Sequence, residues 1–265
     1  MGAQTVVADV ADEIARRVAT GEYAPGDLIP SVRQVAEEFG MNRATAQLVL
    51  GRLESYGFVD AHRGRGFTVR DVRLAGGVDV YRRLFRLSMP APELAAEMFR
   101  NILIVERAIV LEALLDYTES ERAIPSQELH ATVDELETLA RATEPDHVRL
   151  LELEIGLVRT LLSELGHSMQ RAVLNSVGET LFEVPEAVDA FFAASADLHV
   201  LVWRALLAVW ESETGPSEAQ LSLFEDLFGM YHDKVEARFA ELTGLAVESG
   251  ALASDSGTQS HAATA

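Results

Sequence analysis

The stretch Asn42-Arg43-Ala44-Thr45-Ala46-Gln47 gathers side chains that can read the edge of a nucleobase. Arginine can donate two parallel hydrogen bonds to guanine O6 and N7, and glutamine can pair with adenine N6 and N7. Threonine can reach a phosphate or a thymine methyl. Fifteen residues beyond Gln47 begins a second cluster, His62-Arg63-Gly64-Arg65. Its basic side chains can reach phosphates or a minor groove, and Gly64 and Gly66 permit close approach of the backbone. Any one of these arginines taken alone is more simply an ordinary solvated residue. What points to nucleic acid is their order and spacing on the elements that carry them.

Those elements follow from the flanking pattern. Val6, Val10, Ile14 and Val18 recur every four residues and predict a helix over Val6–Thr20. Tyr23-Ala-Pro-Gly-Asp27 is a turn. Ser31 is placed to cap a helix over Val32–Phe39, and Gly40 to stop it. Asn42 can cap the next helix, Arg43–Tyr56, closed by Gly57. Phe58–Ala61 and Gly66–Val69 read as two short strands flanking the basic turn. A helix-turn-helix sends the N-terminal side chains of its second helix to base edges. Here those are Asn42, Arg43, Ala44, Thr45 and Gln47, with His62, Arg63, Gly64 and Arg65 forming a wing.

The segments Gly21-Glu-Tyr-Ala-Pro-Gly-Asp-Leu-Ile-Pro-Ser-Val-Arg-Gln-Val-Ala36, Gly40-Met-Asn-Arg-Ala-Thr45 and Leu53-Glu-Ser-Tyr-Gly-Phe-Val59 resemble the GntR family of transcriptional regulators over roughly residues 6–70. That resemblance implies that Arg33 contacts backbone phosphate while Arg43, Thr45 and the wing lie at the DNA. Asn42 stands where serine is usual, and Gln47 where arginine is frequent. The departure at Gln47 leaves the operator sequence open.

A net charge of −20 argues against nucleic acid only until its distribution is considered. Residues 1–73 carry 9 arginines and 10 carboxylates, and residues 74–90 carry 3 arginines and one aspartate. The remaining 10 basic and 31 acidic residues lie beyond. Binding needs local positive charge, and an acidic C-terminal part confines contact to the N-terminal one. The chain has no cysteine, which excludes disulfides, thiolate metal sites and cysteine catalysis. The N-terminus shows no signal peptide and no stretch reads as a membrane helix, so the expected location is cytoplasmic.

Beyond residue 71 a connector holds Gly76-Gly77 and a short helix over Asp79–Leu87. Six longer helices follow: Glu93–Tyr117, Ser126–Ala142, Asp146–Leu165, Ser168–Phe182, Pro185–Glu211 and Ser217–Leu242. No strand pattern interrupts them. The expected architecture is an N-terminal winged helix-turn-helix, α with a small β wing, plus a C-terminal all-α bundle. Its boundaries are residues 1–73 for the head, 74–92 for the linker, 93–243 for an effector-binding and dimerisation domain, and 244–265 for a disordered tail.

The C-terminal part resembles the FadR-like group within that family. The resemblance lies in Ala75–Leu87, in Asn101-Ile-Leu-Ile-Val105, and in Gly166-His167 followed by Val173-Leu-Asn175. It implies a homodimer on a palindromic operator, with contact around residues 79–115, and a helical domain that binds a small effector. In many relatives that domain holds a metal through an aspartate and three histidines. Here Val158 occupies one histidine position, and Glu154, His199 and His232 are the fallback donors, so no metal and no cofactor are expected. An apolar or acylated effector, such as a fatty acid or acyl-CoA, would then meet Phe99, Leu103, Leu157, Leu161, Phe191, Phe192, Trp203 and Phe228. Tyr231, where the family has glycine, stands at the mouth. Apolar residues at helical spacing equally describe plain core. Two other readings are a metal-dependent carboxylate sensor and an effector-free DNA-binding protein. An enzyme is not expected: Lys234 is the single lysine, and about 170 helical residues cannot hold a fused pyridoxal-phosphate domain.

Overall fold

The structure is a computed structural model that describes residues 3–120, 127–212 and 215–245, with side chains from residue 6 onward. The chain opens with α1 (Ala3–Ala19), α2 (Val32–Glu38) and α3 (Arg43–Ser55). It continues with β1 (Val59–His62) and β2 (Gly66–Val69). Helix α1 turns Val7, Ala11, Ile14, Ala15 and Val18 inward and packs on α3, which supplies Ala46, Val49, Leu50 and Leu53. Local chemistry sets the boundaries. Ser31 and Gln34 form a reciprocal capping box at the start of α2. Gly40 (φ +62°) and Gly57 (φ +82°) end α2 and α3 in the left-handed region that favours glycine. The strands are antiparallel, with Val59 opposite Val69 and His62 opposite Gly66. The turn after α1 adds a third rung, Leu28 bridging Thr68 and the Ile29 amide donating to the Phe67 carbonyl at 3.1 Å.

Next come α4 (Val72–Ala75), which Asp71 caps, and α5 (Val78–Ser88). The sequence pattern is too short to show α4. Helix α5 is packed between the head and the helices beyond. It lies against α1, where Arg86 pairs with Asp12 at 2.9 Å, and against two later helices, α6 (Pro92–Glu119) and α9 (Ser168–Phe182). Phe85 is fully buried beside the stacked pair of Phe99, from α6, and Phe239, with centroids 6.1 and 5.9 Å away.

The rest is helical among the described residues: α7 (Gln127–Ala140), α8 (His147–Glu164), α10 (Pro185–Phe191), α11 (Ala196–Trp210) and α12 (Glu218–Leu242) join α6 and α9. One expectation is corrected. Pro185–Glu211 is not a single helix. It breaks over Phe192–Ser195 and resumes with Ser195 in an extended conformation, the two halves bent by 58°. The bend lets Phe192 stack on His147 at 4.5 Å and on His199 at 4.9 Å while α10 packs on α12. Among the described residues no single helix is long and apolar enough to cross a membrane. Of the expected tail only Gly244 and Leu245 fall within the described residues. They finish α12, with Gly244 at φ +75° and the Leu245 amide donating to the Ala240 carbonyl at 2.9 Å. The rest of the tail lies outside the described residues.

Candidate nucleic-acid interface

The N-terminus of α3 is built by Asn42. Its side-chain oxygen accepts the Thr45 amide at 2.8 Å and the Thr45 hydroxyl at 3.2 Å. A group that would otherwise be an orphan donor is thereby satisfied, and the first turn is fixed. Asn42, Arg43, Ala44 and Gln47 are exposed on that turn and Thr45 is half-buried. The opposite face of the same helix is buried. The wing presents His62, Arg63, Gly64 and Arg65, all exposed. It is shaped by Gly64 (φ +77°) and Gly66 (φ +100°), and by the Arg65 amide donating to the His62 carbonyl at 3.0 Å. The His62 ring is held by Thr68, 2.7 Å from Nε2 to Oγ1. Arg33 projects from α2, 68% exposed, with Glu37 3.5 Å away.

Electrostatics separates these arginines from the others of the head. Arg16 and Arg17 are tied to Glu13, whose carboxyl is lowered to about 2, chiefly by the Arg16 hydrogen bond. Arg52 donates to the Tyr56 hydroxyl at 2.6 Å, and Arg70 faces Asp60 at 3.7 Å. Arg43, Arg63 and Arg65 have no ion-pair partner among the described residues. Unpaired guanidinium groups on an exposed turn are free to exchange counterions for phosphates or to fork onto a base.

Two features of this region escaped the sequence. Arg83 of α5 lies over the Tyr56 ring at 3.9 Å, joining the end of the recognition helix to the linker. Leu48 is 63% exposed on α3, next to Gln47. No local pattern signals the Arg83 contact, because its partner is 27 positions away in the sequence.

In the bundle, the residues expected to line a cavity are placed in the packed core. Phe99 stacks on Phe239 at 4.1 Å and meets Phe191 edge-on at 6.4 Å. Leu103, Leu157, Leu161 and Trp203 are buried, and Phe228 is half-buried. Tyr231 donates to the Phe191 carbonyl at 2.8 Å, and its ring sits edge-on to both His199 (5.4 Å) and His232 (5.1 Å).

The fallback donors divide into two pairs. His199 Nδ1 is 2.9 Å from Glu154, which also accepts from the Trp203 indole at 3.1 Å. His232 Nε2 is 2.8 Å from Glu106, a residue that sequence reasoning did not single out as a partner. His232 Nδ1 faces the Phe228 carbonyl at 2.8 Å; a carbonyl only accepts, so that nitrogen carries a proton. Burial alone would depress the His199 imidazole, but the adjacent Glu154 charge and hydrogen bond outweigh it, and the net shift is upward. Tyr231 is pushed well above its ordinary value by burial and then by the Glu154 and Glu106 charges. Among the described residues no three histidine, aspartate or glutamate side chains are placed to hold one ion.

Comparison with known proteins agrees with this geometry. Residues 7–69 match the bacterial regulatory proteins of the gntR family. The transcriptional regulator Mce2R of Mycobacterium tuberculosis is 40% identical over 81 residues, 31% of this chain and 34% of that protein. The match thus spans about a third of the length of such relatives. A fatty acid metabolism regulator protein of Cronobacter sakazakii is 26% identical over 196 residues, 70% of this chain and 76% of its own. A solved structure of Lar, which controls the agr system of Listeria monocytogenes, aligns over 90% of this chain and 95% of its own. The TM-score is 0.41 and the identity 17%, a loose likeness that adds no weight. The exposed turn of α3, the glycine-shaped wing and the matched stretch coincide: residues 7–69 form a GntR-type head, in a chain similar over 70% of its length to a fatty acid metabolism regulator.

Proposed function

We propose that this protein is a DNA-binding transcriptional regulator of the cytoplasm that binds a palindromic operator as a homodimer and answers to a small, largely apolar effector. The observation that carries the reading is the set of unpaired guanidinium groups of Arg43, Arg63 and Arg65 around an Asn42-capped helix start. In this reading Arg43 and Gln47 read bases, while Arg33, His62, Arg63 and Arg65 position the head on phosphates. One recognition helix reads only a few base pairs, so two heads are needed for useful affinity. The contact between copies lies on α5 and α6, where Val78, Ile104 and Val105 are exposed. The apolar effector is supported by a relative named for fatty acid metabolism over most of its length. Selection of bound sequences from random duplexes, followed by anisotropy titrations across a salt series, tests the reading. An inverted repeat bound by a dimer is expected. A strictly monomeric chain at micromolar concentration with DNA present, or binding indifferent to sequence, would refute it.

A further inference from the structure

The aromatic stack of Phe85, Phe99 and Phe239 fills space in the bundle core, but a pocket of about 320 Å³ lies elsewhere. It sits where the Gly76-Gly77 break between α4 and α5 faces α6 and α9. Its apolar walls come from Val78 and Tyr81 of α5, Ile102 and Val105 of α6, and Val173 and Val177 of α9. None of its lining side chains carries a charge. The Thr180 hydroxyl already donates to the Ser176 carbonyl at 2.7 Å, so the polar edge offered to a ligand is the Tyr81 hydroxyl, which donates to the Met98 carbonyl at 3.4 Å, together with the exposed Asn101 amide beside it.

We propose that this hinge pocket is the effector site, and that it takes a small neutral molecule with an apolar body and one hydroxyl or carbonyl group. The volume suits about ten non-hydrogen atoms, at about 30 Å³ for a water-sized group. The charge preference follows from desolvation. A carboxylate here would lose water without gaining a cation, because Arg73, the basic residue of α4, is engaged with Glu97 at 3.8 Å. The proposal rests on the regulator reading above and names its ligand class.

The position gives the ligand leverage. A Cβ on Gly76 would lie 2.3 Å from the Val72 carbonyl and 3.0 Å from the Val80 side chain, so the α4 backbone and the Val80 side chain of α5 close on Gly76 without slack. The same α5 holds the head through Arg83 over Tyr56 and Arg86 on Asp12. A molecule wedged behind the hinge therefore shifts α5 and the heads it carries, as far as it prefers one arrangement over another. Val78 and Val105 also belong to the face proposed for the second copy, so dimer formation closes the pocket over its ligand.

The test uses the full chain with ¹³C-labelled valine methyls, titrated with 1-octanol and, separately, with octanoate, while operator affinity is followed by anisotropy. Saturable octanol contacts to the methyls of Val78, Val105, Val173 and Val177 are expected. Octanoate should bind at least tenfold more weakly, and operator affinity should change as octanol saturates. Val105→Trp, at a 42% exposed position, should plug the pocket and abolish octanol binding. The wild-type methyl contacts decide the matter should that variant misfold. Octanol contacts elsewhere, octanoate binding as tightly, or operator affinity indifferent to bound octanol would each overturn the proposal. A chain that contacts octanol but binds no DNA instead refutes the regulator reading.

Discussion

Arg43→Ala separates base reading from mere attraction to DNA. The side chain is exposed, begins α3, and has no ion-pair partner among the described residues. Its removal should leave folding stability within about 0.5 kcal/mol, as for a surface change that touches nothing. The helix start survives because Asn42, not Arg43, caps it. At the operator, a bidentate arginine–guanine pair contributes about 1–3 kcal/mol of discrimination. A dimer loses it twice, so affinity should fall by about 2–6 kcal/mol, roughly 30-fold to more than 10⁴-fold at 1.4 kcal/mol per tenfold. Anisotropy at one fixed salt concentration, on the operator and on half-site variants, measures this. The loss should vanish on an operator already mutated at the base that Arg43 contacts. A uniform loss on every sequence, with the salt slope reduced by about one per head, would make Arg43 a phosphate contact and refute the reasoning.

Asn42→Ala removes the cap of α3 and should cost about 1 kcal/mol of stability, read as a lower urea midpoint, with weaker binding to all sequences. Arg63→Ala and Arg65→Ala should each weaken operator and random DNA alike; a change in sequence preference would move them from phosphate to base contacts. Phe239→Ala should cost about 3–5 kcal/mol, since Phe239 is fully buried against Phe85 and Phe99; a loss below 1 kcal/mol in denaturant unfolding would show that the stack is not core. The His199 imidazole is raised in the folded state above its ordinary 6.5. Its ion pair with Glu154 therefore contributes full stability below about pH 6.5 and loses it as pH rises through the folded value. Urea midpoints of wild type should drop across that window by more than those of His199→Gln, and parallel curves would exclude the effect.

The head was legible because its signals are local. Ser31 and Gln34 are three positions apart, Asn42 touches Thr45, and Gly40 and Gly57 mark helix ends by backbone conformation. Each can be read within a few residues. The bundle was legible as helices but not as a site. Glu154 and His199 are 45 positions apart, and Glu106 and His232 are 126 apart, so periodicity could not pair them. The break after Phe191 lacks a proline or glycine, and ring stacking on His147 and His199 accompanies it. Phe99 and Leu157 have the same spacing whether they line a cavity or fill one, and burial alone tells the two apart.

Helix α5 makes head and bundle share one continuous core, with Phe85 beside the aromatic pair of the bundle and the same helix packed on α1. Head and bundle are therefore not freely interchangeable parts. A chimera cut at Gly76-Gly77 would give α5 a foreign α1 to pack on, while one cut after Ser88 would set Phe85 against a foreign bundle that lacks its fitted partners Phe99 and Phe239. Recombination among such chains can trade heads only where the α1 face and the α5 face change together.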